Sequence, residues 1–364
     1  MARVLRALLL GAAVATAAAS ASAALVDYPA VVPGVAVSLP ADHGSHTLFR
    51  TEWWYVTGWL DADDGSTLGF QVTFFRTRPD VPEDNPSAFT PRQLVIAHVA
   101  LSDPAHGRLR HDQRIARATH GLAGADPSDT DVWIGDWRLE RDGARYRARL
   151  DASDFGLDLV LERTQPPMLN GEGGYSRKGR LPSSASYYYS VPQLKVGGTV
   201  SREGVPVRVH GSAWLDHEWS TALLEPEASG WDWIGINLDD GGALMAFRMR
   251  DRAGNRLWAA ATLRRPGEEP LHVAPDDVVF LPGRRWTSPR TGIEYPVEFG
   301  LRTGDVAIDI EPLMDDQESD SRMTTGAVYW EGAVRALQSG RPIGKGYLEL
   351  TGYGAPLALP GSGR

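Results

Sequence analysis

The chain has 364 residues, a formal charge of −9 from 37 Lys+Arg against 46 Asp+Glu, and no cysteine. Without thiols there can be no disulfides, thiolate metal sites, cysteine nucleophiles or lipid attachment at cysteine. The acidic balance argues against nucleic acid and anionic lipid surfaces as partners, because both need basic patches.

The predicted elements begin with a leader. Arg3 and Arg6 form a short basic head, an apolar run follows to about Ala19, and Ala21-Ser22-Ala23 closes the segment. That order predicts a signal peptide over 1–23, cleaved after Ala23, and hence a periplasmic or secreted protein. The run is too short and too rich in Ala for a membrane anchor, and nothing later reads as a span.

Strand-like runs follow at 56–60, 68–76, 94–101, 207–215, 233–238 and 244–249, with Asp-Gly or Gly-Gly punctuation between them. Many short strands with such turns predict an all-β sandwich or barrel. Gly171-Glu172-Gly173-Gly174 and Gly197-Gly198 read as loops, and one of them, or the segment between, should lead from one domain to the next. Residues 55–70 and 233–247 echo each other. Each copy has an aromatic, then Leu-Asp, a short acidic Gly turn and an apolar run ending in Phe. Two successive related barrels would produce this repeat.

Strand alternation sorts the chemistry-bearing segment 211–220. Trp214, Asp216 and Glu218 share one face, and Leu215, His217 and Trp219 share the other. If the acidic face points inward, burial and mutual repulsion hold one acid protonated, and a protonated acid among aromatic rings suits protonation of an alkene. If it points outward, the acids are solvated or paired with Arg. In 52–60, Glu52 and Trp54 share one face, while Trp53, Tyr55, Thr57 and Trp59 share the other, which could line an apolar cavity. Tyr187-Tyr188-Tyr189, Trp231-Asp232-Trp233 and the alternating Tyr347, Glu349, Thr351 and Tyr353 add to such a cavity.

Other mechanisms fail on spacing. The run from His217 has Thr221 where a zinc-protease helix needs its second His, Ser176 lacks the closing Gly of a nucleophile elbow, and 340–345 miscounts as a phosphate loop. The nine His form no spaced metal set, and only His98 and His217 stand out. The sequence therefore implies no cofactor and no metal.

Taken in order, HTLFRTEWWYVTGWL, GFQVTFFR, ASYYYSVPQL, VHGSAWLDHEWS, GWDWIGINLDDGGALMAFRMR, VYWEGAV and GYLELTGY resemble the AttH-type, carotenoid 1,2-hydratase-related lipocalin-like family from about residue 40 to 354. The resemblance implies two consecutive lipocalin-like (calycin) β-barrels, 34–190 and 191–356. It also implies a cofactor-free hydro-lyase in which Asp216 protonates an alkene, flanked by Tyr187, Tyr189 and Trp214. Glu52, Trp53, Tyr55, His217, Glu218, Trp231 and Trp233 are the expected ligand contacts. The Glu218-Trp219 continuation and the leader are like those of the exported branch of the family. The expected partner is a hydrophobic, isoprenoid- or lipid-like small molecule, and the alternative is a carrier without catalysis.

Overall fold

In the computed structural model, residues 26–82, 85–87 and 89–357 are described; the expected signal peptide, 1–23, lies outside them. Short runs of β-branched and aromatic residues separated by turns form 25 strands among the described residues. The first thirteen are β1 (Thr51–Ala62), β2 (Thr67–Thr77), β3 (Leu94–Ser102), β4 (Arg110–Arg117), β5 (Ala123–Ala125), β6 (Asp131–Ile134), β7 (Trp137–Asp142), β8 (Arg145–Asp151), β9 (Phe155–Glu162), β10 (Met168–Leu169), β11 (Tyr175–Arg177), β12 (Ala185–Arg202) and β13 (Val205–Ala222). They make one sheet in the order β4-β3-β2-β1-β13-β12-β9-β8-β7-β6-β5, with β10 and β11 also on β12. Its edge strand β4 returns against β5 and β6, so the sheet nearly closes into a barrel.

The second sheet repeats the plan. It uses β14 (Gly230–Leu238), β15 (Ala243–Arg250), β16 (Arg256–Arg264), β17 (Leu271–Val273), β18 (Val278–Pro282), β21 (Phe299–Thr303), β22 (Val306–Pro312), β23 (Glu318–Ser321), β24 (Ala327–Gln338) and β25 (Arg341–Leu350), while β19 (Arg285–Thr287) and β20 (Glu294–Pro296) form a separate hairpin. The order is β17-β16-β15-β14-β25-β24-β22-β21-β18. In both sheets the first strand therefore pairs with the last, β1 with β13 and β14 with β25. The two echoing segments are the β1–β2 and β14–β15 hairpins. The fold is all-β and lipocalin-like.

The chain divides later than the sequence suggested. The expected boundary at 190/191 falls inside β12, and the first sheet keeps both β12 and β13 through Ala222. Gly197 and Gly198 are not a loop: they lie within β12, paired to both β13 and β9. Gly198 is there because the backbone of β9 comes so close, with a Cβ at this position 2.2 Å from the Asp158 carbonyl oxygen.

Burial explains the sequence pattern of the central strands. β8 shows one-sided alternation, exposed Arg with buried Tyr146, Ala148 and Leu150. β1 and β13 are buried on both faces over most of their contact, so aromatic and acidic residues run on without alternation. One face packs the interior of the first barrel, with Trp54, Val56, Leu215 and Trp219. The other meets the second barrel in an aromatic layer containing Tyr55, Trp59, Tyr188, Trp214, Trp233 and Phe247. The second barrel has its own interior core around Ile234, Leu244, Phe299 and Trp330. No helix among the described residues is long and apolar enough to cross a membrane.

Candidate active site

A cleft between the barrels collects the acids. Its enclosed space is about 100 Å³, with walls from β1, β2, β3 and β13 on one side and β14, β15, β24 and β25 on the other. Asp216 and Glu218 project into it from β13, and Glu349 and Glu331 from β25 and β24. Trp53, Tyr55, Trp231, Trp233, Phe247 and Tyr329 supply aromatic wall. Trp53 and Trp231 are half-buried, whereas Asp216, at 3 % exposure, lies deep.

Asp216 has no ion pair and three hydrogen-bond donors. Ser190 Oγ and Trp214 Nε1 donate to Oδ1 at 2.6 and 2.7 Å, and Tyr188 Oη donates to Oδ2 at 2.7 Å. The direction of each bond is fixed from behind. Trp233 Nε1 donates to Tyr188 Oη at 3.0 Å, and Asn170 Nδ2 donates to Ser190 Oγ at 2.8 Å. Both hydroxyl protons are thereby left for the carboxyl. Burial pushes the Asp216 carboxyl from 3.8 up to about 7, against the pull of these three bonds and with help from the charge of Glu218. Oδ1 already accepts twice and Oδ2 once, which makes Oδ2, beside Tyr188, the oxygen with room for an acid proton.

Glu218 is held differently. Lys178 Nζ lies 2.9 Å from its Oε1 and Ser186 Oγ donates to the same oxygen. Lys178 also sits over the rings of Phe247 and Tyr188, 4.1 and 4.5 Å from their centroids. Across the cleft, Glu331 and Glu349 are directly opposed on β24 and β25. Burial pushes Glu349 up to about 7, opposed by the hydrogen bond from Trp231 Nε1 at 2.9 Å and raised further by the charges of Asp216 and Glu218. Burial and the Glu349 charge push Glu331 well above the usual carboxylate range. His98, also on the wall, is pushed down to about 3 by burial and bridges to Tyr329 Oη at 2.7 Å and Thr324 Oγ1 at 2.8 Å.

Of the residues singled out in the sequence, Asp216, Glu218, Trp53, Tyr55, Trp231 and Trp233 line this cleft, and Trp214 braces Asp216. Glu52, His217, Tyr187 and Tyr189 do not join them. They lie on the opposite face of β1, β13 and β12, toward the interior of the first barrel. The reason is register. Tyr188 stands opposite Glu218 and Ser190 opposite Asp216, so these share the acidic face, while Tyr187 and Tyr189 stand opposite Trp219 and His217. The tyrosine on the acid is Tyr188, not the two beside it.

The inward face holds its own polar chain. Glu52 Oε1 is 2.9 Å from His217 Nε2 and 2.8 Å from His46 Nδ1, and Arg76 Nε donates to Oε2 at 2.8 Å. Burial pushes the Glu52 carboxyl up, but the Arg76 charge and the two histidines override it and hold it far below the usual range. His46, Glu52 and His217 bring ligand atoms within 4.8 Å of one another, the only grouping among the described residues able to hold a metal ion. No motif spacing reveals it, because His46 belongs to the segment before β1. His217 Nδ1 continues the chain to Tyr189 Oη at 3.1 Å, so its ring nitrogens are hydrogen bonded without an ion.

Sequence reasoning also passed over Ser190, Lys178, Glu331 and, as a site residue, Glu349. For Glu349 a signal existed. Tyr55 on the first strand of the first barrel stands opposite Asp216 on its last strand, and Trp233, the counterpart of Tyr55 in the echo, stands opposite Glu349. The repeat is thus a repeat of the site: each barrel sets a raised acid on its last strand against an aromatic on its first.

Fold and cleft together define a two-barrel, lipocalin-like protein with a buried acidic site between its barrels. The chain belongs to the AttH-like family, whose model matches residues 30–353. It is 52 % identical to the crystal structure of an AttH candidate from Nitrosomonas europaea, with a TM-score of 0.84 over 89 % of this chain and 99 % of that one. It also resembles the kievitone hydratase from Nectria haematococca, at 14 % identity and a TM-score of 0.68 over 90 % of this chain and 97 % of that one. No curated protein matches the chain.

Proposed function

We propose that the chain binds a hydrophobic, isoprenoid- or lipid-like molecule at the cleft and hydrates an alkene of that ligand without a cofactor, with Asp216 as proton donor. The observation that carries this reading is the setting of Asp216: buried, unpaired, raised to about 7, and bonded by three donors aimed at its oxygens. The donors oppose protonation, but they are already in place for the carboxylate that remains once the proton has left. The Oδ2 proton passes to one alkene carbon, and the adjacent carbon becomes the cation. Rings of Tyr55, Trp231 and Trp233 face that charge, since aromatic faces attract cations. Water captures the cation, and its released proton restores the Asp216 carboxyl.

The enclosed volume accommodates the reacting end of a long ligand rather than all of it. The kievitone hydratase is named for a hydration, and its likeness to this chain extends to the fold alone.

The test uses farnesol and squalene in 18O-labelled water, with products read by mass. Wild-type protein is expected to add one labelled hydroxyl. Asp216→Asn is expected to lose about 10²-fold or more in turnover while keeping its ligand affinity. Equal loss of both would remove the general-acid role. A second reading, a carrier without catalysis, gains support from the cleft's unpartnered polar atoms, which suit a ligand head group. It would be left standing by tight binding with no label incorporated in either protein.

A further inference from the structure

Two polar atoms in the cleft, close to one another, make no hydrogen bond. Glu331 Oε1 and Tyr55 Oη are buried and make no hydrogen bond, although the residues are 4 % and 7 % exposed and line the same cavity. They come from opposite barrels, Tyr55 from β1 and Glu331 from β24. They lie close enough that a small rotation would pair the Tyr55 hydroxyl with Glu331, but as they stand the two fall short of hydrogen-bonding geometry. Leaving a buried donor or acceptor unmade is costly, and folded proteins keep few such groups without a use. Every other carboxyl of the cleft is accounted for: Asp216 by its three donors, Glu218 by Lys178 and Ser186, Glu349 by Trp231.

We propose that Glu331 and Tyr55 are the seat of a hydroxyl group on a neutral apolar ligand, the ligand hydroxyl donating to Glu331 Oε1 and accepting from Tyr55 Oη. The proposal rests on reading the cleft as a site for an apolar ligand, and it adds the head group that the ligand carries. An alcohol satisfies both orphans at once because a hydroxyl is both donor and acceptor. A carboxylate or phosphate head group is disfavoured by charge. It would bring a further anion into a buried cleft where burial already pushes Asp216, Glu331 and Glu349 toward their neutral forms, and where Lys178 is committed to Glu218. An ammonium head group has no acceptor lone pair for Tyr55. The cation position over Tyr188 and Phe247 is already filled by Lys178. The class of ligand is therefore a neutral, hydroxyl-bearing apolar molecule.

The experiment follows tryptophan fluorescence of the full chain at neutral pH during titration with four probes that share one tail: farnesol, farnesene, farnesoic acid and farnesylamine. Two hydrogen bonds predict that farnesol binds about tenfold or more tighter than farnesene. The acid and the amine should bind no better than the hydrocarbon. Tyr55→Phe and Glu331→Leu should each narrow the gap between farnesol and farnesene affinity, whereas Glu331→Gln, which keeps an acceptor, should retain most of it. Neither loss variant is expected to lower Tm, since the atoms removed make no bond; if Glu331→Leu does not fold, Tyr55→Phe carries the test. Farnesene binding as tightly as farnesol, or the acid or amine binding best, overturns the head-group assignment and leaves the apolar site intact. Failure of all four probes to bind overturns both readings.

Discussion

Asp216 is held near its titration point by opposed forces, burial raising its pKa and three hydrogen bonds lowering it. The consequence for stability has a definite sign. Its folded value, about 7, lies above the ordinary 3.8, so the folded protein binds the proton more tightly than the unfolded chain. The stabilisation is complete below about pH 4 and is lost as pH rises toward 7. An amide imitates the protonated acid and cannot ionise. Asp216→Asn should therefore match wild type near pH 4 and exceed its unfolding free energy by on the order of 4 kcal/mol near pH 8, as read by urea titration at the two values. A constant difference between the two pH values would mean that Asp216 does not titrate in this window. Much of this residue was readable beforehand. Alternation alone put Trp214, Asp216 and Glu218 on one face, but it could not say that the face was buried against the second barrel. Nor could it choose among three consecutive tyrosines. That choice depends on the pairing of β12 with β13, which two bulges shift between Ala185 and Leu194.

At the scale of elements, the site depends on how β12 holds to the second barrel. Gln193 sits at the second bulge with a left-handed φ of 56°. Its side-chain amide donates to the carbonyls of Leu238 at 2.9 Å and Gly242 at 2.7 Å, the ends of the β14–β15 turn, and its backbone N–H donates to Asn237 Oδ1 at 2.8 Å. Gln193→Ala keeps the backbone bond and removes the other two. It should cost about 2 kcal/mol in unfolding free energy and weaken ligand binding at the cleft, both measurable on the purified variant. Unchanged affinity would show that this contact does not position the barrels. The hairpins themselves were legible from their acidic Gly turns. Gln193 was not, because nothing local distinguishes a glutamine that reaches 45 residues along the chain. The cluster of His46, Glu52 and His217 was hidden for the same reason: its members meet only once the barrel has closed.

For the whole molecule, the two-barrel plan and the family were legible in seven ordered motifs, whereas the boundary was not. Turn-like glycines at 197–198 suggested a break where the chain in fact runs through two 18-residue strands. A glycine that admits a neighbouring backbone looks, in sequence, like a glycine that admits a turn. The signal peptide expected over 1–23 gives a prediction at the same scale. Protein expressed with its leader in a Gram-negative host and recovered from the periplasm should begin at Ala24 by intact mass. Full-length protein retained in the cytoplasm would remove the export assignment.

The hydrogen bond from Trp233 to Tyr188 joins the second barrel to the first, and the next bond in the line ends on Asp216. The acid is therefore wired through an interlock. While the barrels are docked, the Tyr188 proton is committed to the carboxyl; if they part, Tyr188 is free to turn and water reaches the cleft, so both forces that set the acidity of Asp216 relax together. Such an arrangement ties the acidity of Asp216 to the assembled two-barrel state, so the proposed chemistry would belong to the pair of barrels and to neither by itself.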